Sequence, residues 1–142
     1  MRRSRLCSAL PLLSGALLFV AGCGNDTPVP VGGTVRFKGK PMPNLVVHFV
    51  PEKGNESRGT TNENGEFKLN FQRGIEGALP GKHKVYFEYR FRDPLEEAAI
   101  QSGKSAIPTD VKFILDKYGK AATTTLSYEV TKSNQDIAID LE

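Results

Sequence analysis

A chain of 142 residues, 25% charged and 39% hydrophobic, has the length of one domain, with no internal repeat and no low-complexity segment. Its formal charge of +3 gives no argument for nucleic acid: Arg2, Arg3 and Arg5 crowd the first five residues, and without them the 19 basic side chains fall to match the 16 acidic ones. The two cysteines, Cys7 and Cys23, stand too near the N-terminus to staple a domain, so stability must come from packing, with eight Phe and four Tyr supplying bulk and no Trp.

Residues 6–19 follow the basic n-region as a mostly apolar, uncharged run interrupted by Pro11 and Gly15. A membrane-spanning helix needs about 20 apolar residues. A shorter run with these flanks reads as a secretory h-region. It ends in Leu17-Leu18-Phe19-Val20-Ala21-Gly22-Cys23, and Val20-Ala21-Gly22-Cys23 resembles the lipobox of bacterial lipoproteins. The resemblance implies cleavage between Gly22 and Cys23, and a diacylglycerol, with palmitate among its acyl chains, on the Cys23 sulfur. The small residues Ala21 and Gly22 suit a narrow peptidase site. The competing reading is an ordinary signal peptide with a chance cysteine. Arg2-Arg3 hints at twin-arginine export, but Arg5 stands where an apolar residue is wanted, which favours general secretion. Each buried CH₂ contributes about 0.8 kcal/mol, so two or three acyl chains hold firmly. Gly24 follows the cysteine where Asp often retains a lipoprotein in the inner membrane, which implies the outer membrane in a host that has one. Cys7 leaves with residues 1–22, and no free thiol remains in the exported part. Residues 24–30 form a tether of at most about 25 Å, stiffened by Pro28 and Pro30, so the domain of residues 31–142 is expected to ride close to the bilayer.

From Val31 the pattern is that of an all-β domain. Thr34-Val35-Arg36-Phe37 alternates, and Gly39-Lys40-Pro41 is expected to turn the chain. Residues 45–50 read as a strand with Leu45, Val47 and Phe49 on one face, followed by polar loop to Arg58. Thr60 and Thr61 lead into Asn62-Glu63-Asn64-Gly65, an expected hairpin turn. Residues 66–71 alternate as one strand with Phe67, Leu69 and Phe71 inside. Leu79-Pro80-Gly81 turns again. Residues 82–89 set His83, Val85, Phe87 and Tyr89 inside against Lys82, Lys84, Tyr86 and Glu88. The rhythm breaks over residues 93–120. A helix is predicted at 94–101, then a small-residue stretch. A second helix, over 110–118, is expected to be capped by Thr109, striped by Val111, Ile114, Leu115 and Tyr118, and ended by Gly119. Strands resume at 124–130, with Leu126, Tyr128 and Val130 inside, and at 136–141, with Ile137, Ile139 and Leu141 inside. Six or seven short strands separated by turn signals predict a β-sandwich, with one or two short helices in the 93–120 insertion.

Four pieces resemble carboxypeptidase regulatory-like domains. Val31-Gly32-Gly33-Thr34-Val35 with Gly39-Lys40-Pro41-Met42-Pro43-Asn44 is similar to that family's opening, and Val47-His48-Phe49-Val50-Pro51 to the strand that follows. Thr61-Asn62-Glu63-Asn64-Gly65-Glu66-Phe67 resembles its "T-D-x-x-G-x-F" hairpin, and Leu79-Pro80-Gly81-Lys82-His83-Lys84-Val85 its "x-P-G-x-Y-x-V" turn and strand. His83 stands where Tyr is usual and Asn62 where Asp is usual. The resemblance implies a transthyretin-like β-sandwich, also Ig-like in general form, of about seven strands. The tail through Tyr118, Leu126, Val130 and Leu141 is similar to that of small bacterial lipoproteins carrying this domain alone. The motif residues have mechanical roles: Gly65 and Gly81 permit turns, Pro41 and Pro80 fix φ, and Phe67 and Val85 fill core.

Chemistry is sparse. His48 falls opposite Val47 and Phe49 and is expected as an exposed polar residue, while His83 falls inside near a strand end. No metal-ligand spacing joins them, and no metal site or cofactor is expected. Asn62-Glu63-Asn64-Gly65 is superficially like a calcium loop, but the EF-hand template wants an acid at Thr60 and a Glu at Phe71. A purine-pathway hydrolase shares the transthyretin-like fold, yet its C-terminal Tyr-Arg-Gly-Ser is replaced here by Ile139-Asp140-Leu141-Glu142. The serines lack a G-x-S-x-G context, and no catalytic residue is expected. The aromatic run Tyr86-Phe87-Tyr89-Phe91 cannot form one flat platform, because successive strand residues face opposite ways.

These readings lead to a lipid-anchored, non-catalytic envelope lipoprotein. It would meet the membrane through the lipid on Cys23 and an envelope protein or glycan through its loops. The alternatives are a surface carbohydrate-binding module relying on Tyr86 and an accessory domain to a separate envelope hydrolase. Residues 93–120 are where specificity would be sought first, against the plainer reading that they cover a sheet edge.

Overall fold

A computed structural model of the chain describes residues 27–131 and 135–142. The expected cleavage and lipidation residues, Gly22 and Cys23, lie outside the described residues, as does everything before them.

The domain is a β-sandwich with two short helices. Strand β1 (Val31–Phe37) turns Val31, Val35 and Phe37 inward. Lys38 and Gly39, at φ 50° and 78°, then make a two-residue turn into β2 (Lys40–Pro41), one residue earlier than the expected turn. Two left-handed residues give a turn whose twist matches that of the strands it joins. In the larger sheet, β3 (Leu45–Pro51) pairs antiparallel with β8 (Gly81–Tyr89) from Leu45↔Tyr89 to Pro51↔His83, and Leu45, Val47, Phe49, Val85 and Phe87 are fully buried. On the other side of β3 lies β4 (Ser57–Thr60).

The stretch expected as one strand is divided. Residues of β5 (Glu66–Lys68) pair with β1, whereas β6 (Asn70–Gln72) pairs with β4, so the chain changes sheets at Leu69. Strands that switch sheets make the corners of a sandwich. Gly59 permits this corner: a Cβ there would stand 2.2 Å from the Lys68 carbonyl oxygen. The turn at Asn62-Glu63-Asn64-Gly65 therefore joins strands of different sheets and does not close a hairpin within one. A further hairpin, from β6 through Arg73-Gly74 to β7 (Ile75–Glu76), was not expected, since residues 72–78 show no alternation.

The larger sheet runs β7-β6-β4-β3-β8-β9, where β9 is Ser127–Val130. In the smaller sheet β1 has β2 and β5 on one side and β10 (Gln135–Leu141) on the other, parallel from Val31↔Gln135 to Phe37↔Leu141. Parallel neighbours need a long connection, and here most of the domain supplies it. The strands outnumber the expected seven because β2 and β7 are two-residue pieces and one expected strand is split. Phe49 and Phe67, with ring centroids 6.3 Å apart, pack one sheet on the other.

Helix α1 (Pro94–Gln101) starts where predicted, with Asp93 Oδ1 accepting from the Glu96 amide at 2.8 Å. None of its residues is buried, and Leu95 is 81% exposed. Helix α2 (Thr109–Tyr118) has Pro108 at its cap and no side-chain capping bond, so Thr109 is its first helical residue and not the expected cap. Its stripe is as read: Val111, Ile114 and Tyr118 are buried in the core and Leu115 packs against it. The helix lies against β8. Strand β9 pairs with Gly81–Lys84, and Leu126 and Thr124 add bonds to Val85, so β9 leaves the later part of β8 without a strand on that side. The 93–120 segment thus divides into a core helix and an outlying one.

Ile114→Ala is expected to cost about 2–5 kcal/mol and Leu95→Ala less than about 0.5 kcal/mol. Urea unfolding of both variants checks this, and equal costs would contradict the division.

Candidate functional site

Alternation along β3 sends His48 to the outer face of the larger sheet, opposite Val47 and Phe49. The strand register then sets Asn70, Arg58, His48 and Tyr86 side by side across β6, β4, β3 and β8. His48 is not the exposed residue that alternation alone implies. It is 3% exposed, because the Tyr86 ring lies flat on it with centroids 4.3 Å apart and planes 11° from parallel. Its Nδ1 stands 3.6 Å from Glu56 Oε1 and its Nε2 3.3 Å from Glu88 Oε2. Neither nitrogen has a regular hydrogen bond.

Burial, then the Glu56 and Glu88 carboxylates, hold the Tyr86 phenol above its ordinary range, while Arg58 pulls the other way. Two depressions lie at the Arg58–Asn70 end of the row. One, of about 810 Å³, is lined by Glu56, Arg58, Asn70 and Arg73 among others; the second, of about 390 Å³, by Thr60, Glu88 and Arg90 with the same Arg58 and Asn70. Among the described residues no ion pair engages Arg58, Arg73 or Arg90, although Arg90 Nη1 reaches Thr60 Oγ1 at 3.5 Å.

The other residues singled out in the sequence serve the fold. His83 is fully buried, its Nε2 donates to the Leu79 carbonyl at 2.7 Å, and its Nδ1 makes no hydrogen bond. It faces the core, away from His48. Asn62 Oδ1 accepts from the amides of Asn64 and Glu66, both at 2.9 Å, so the oxygen a calcium ion would use closes the turn. Among the described residues no three His, Cys, Asp or Glu side chains group to hold a metal ion. The aromatic run splits as alternation requires: Phe87 is core, while half-buried Tyr89 meets Phe91 edge-on at 5.5 Å. The Tyr89 hydroxyl donates to Glu96 Oε1 at 3.1 Å. Glu96 also accepts from the Arg92 amide at 2.6 Å and from Arg92 Nε at 3.0 Å, tying the start of α1 to β8.

Sequence reading singled out Tyr86 but missed Arg58, Glu56, Glu88 and Asn70 as its neighbours. No local motif joins them; only the register of four strands does. No family model matches the chain, and neither a curated protein nor a solved structure matches it.

The raised phenol has a consequence in alkali. The folded state holds the Tyr86 proton more tightly than the unfolded chain, so its stabilising effect is complete below about pH 10 and lost as pH rises through the folded value. NMR titration of ring-labelled tyrosine is expected to show Tyr86 ionising above the ordinary value. It should move back toward that value in His48→Ala, which opens the ring face to water. An unchanged titration in that variant would contradict the stacked geometry.

Proposed function

We propose that the chain is a lipid-anchored, non-catalytic protein of the bacterial cell envelope, held at the outer membrane by acyl chains on Cys23, with its β-sandwich serving as a binding module. The sequence support is the ordered n-region, apolar run and Val20-Ala21-Gly22-Cys23. The structural observation that carries the reading is how near Cys23 the described, paired backbone comes. The Val29 amide donates to the Ala78 carbonyl at 2.9 Å and the Ala78 amide returns a bond to Val29 at 3.0 Å. Among the described residues, paired backbone is thus present six positions after Cys23, a reach of at most about 20 Å.

A regulatory-like, transthyretin-like sandwich is supported by the placement of its quoted turn residues: Gly39, Gly65 and Gly81 all have left-handed φ, at 78°, 74° and 125°. A non-catalytic role is supported by His48, whose nitrogens lie under Tyr86 and between two carboxylates, where a substrate does not reach them. Among the described residues no helix is long and apolar enough to cross a membrane.

Labelling cells with radioactive palmitate tests the anchor. The wild-type chain is expected to take up label and sediment with membranes, and Cys23→Ala to take up none. Equal labelling of the two, or an unlabelled wild type, would overturn the lipid reading.

A further inference from the structure

We propose that the outer face of the larger sheet, centred on Tyr86 and Arg58, binds a neutral polysaccharide. This deepens the binding-module reading and rests on it, but not on lipid attachment.

Four observations converge. First, Tyr86 is a half-buried ring stacked against His48 at 4.3 Å, and its exposed part offers an apolar surface to a ligand such as the C–H face of a sugar. Second, the ring is held in place: it stacks on the buried His48 of the neighbouring strand, which is flanked by Glu56 and Glu88 at 3.6 and 3.3 Å, so little freedom is lost when a ligand stacks. Third, the row from Asn70 through Arg58 and His48 to Tyr86 crosses three strand spacings, about 14 Å, and the two depressions meet at Arg58 and Asn70. That length suits several linked rings more than one small molecule.

The fourth observation is charge, and it selects the class. Arg58, Arg73 and Arg90 are interleaved with Glu56 and Glu88. A polyanion would meet the carboxylates that flank Tyr86, and a polycation the three guanidinium groups. A neutral chain of hydroxyls uses both signs, because each hydroxyl donates to a carboxylate or accepts from a guanidinium. Interleaved donors and acceptors beside an aromatic platform therefore complement a neutral polyhydroxyl polymer.

The test is calorimetric titration of the full chain in detergent with cellohexaose, mannohexaose and the N-acetylglucosamine hexamer, with oligogalacturonate and oligolysine as charged comparators. Saturable binding of at least one neutral oligosaccharide is expected. It should change little between about 50 mM and about 0.5 M salt. Tyr86→Ala should weaken it at least about tenfold, the scale of one lost stacking contact. Arg58→Ala, on an exposed side chain outside the core, should also weaken it and serves if Tyr86→Ala fails to fold. Binding by none of the neutral probes overturns the proposal. So does salt-sensitive binding confined to oligogalacturonate or oligolysine, or neutral binding that survives both substitutions. Palmitate labelling is read separately, so a failed anchor and a failed glycan site give different results.

Discussion

The paired run of β3 with β8 is the constraint on which the rest depends. Along it, alternate residues face opposite sides of one sheet. Inward, Leu45, Val47 and Phe49 meet Tyr89, Phe87 and Val85 and form the centre of the core. Outward, Val46, His48 and Val50 meet Glu88, Tyr86 and Lys84. A slip of one residue would turn His48 into the core and Phe49 into water. Burial of the apolar set thus enforces the register that brings His48 under Tyr86. The core and the outer row are two consequences of one pairing.

Two devices close the sandwich around that axis. Leu69 carries the chain between sheets at a corner that the bare backbone of Gly59 allows, since any side chain there would strike the Lys68 carbonyl. On the opposite side β9 is too short to cover β8, and α2, which packs against β8, buries Val111, Ile114 and Tyr118 in the core. Helix α1 has a different status. It is held at its start by Asp93 and Glu96, and the Arg92 guanidinium and amide keep the Glu96 carboxyl below the usual carboxylate range. It contributes no buried residue, which makes it an appendage to the sandwich.

Elements with strong periodicity were legible from the sequence: β3, β8, both helices and the stripe on α2. What was not legible depended on partners. Nothing in Glu66-Phe67-Lys68-Leu69-Asn70 tells which sheet each residue joins, because alternation is the same on either side of the corner. The β6–β7 hairpin escaped notice because its strands are too short to show a period. The correct outward assignment of His48 led to the wrong exposure. Facing outward is a property of the backbone, whereas burial there comes from a neighbour's ring. Lipidation, cleavage and the tether rest on the sequence pattern alone.

The most direct test of this account is a nuclear Overhauser spectrum of the side chains on β3 and β8. Strong cross-peaks between the His48 and Tyr86 rings, together with backbone contacts pairing Val47 with Phe87 and Phe49 with Val85, are the predicted result. Contacts from the His48 ring to Phe67 or to other core side chains, with none to Tyr86, would mean a shifted register and would remove both the core and the outer row as described.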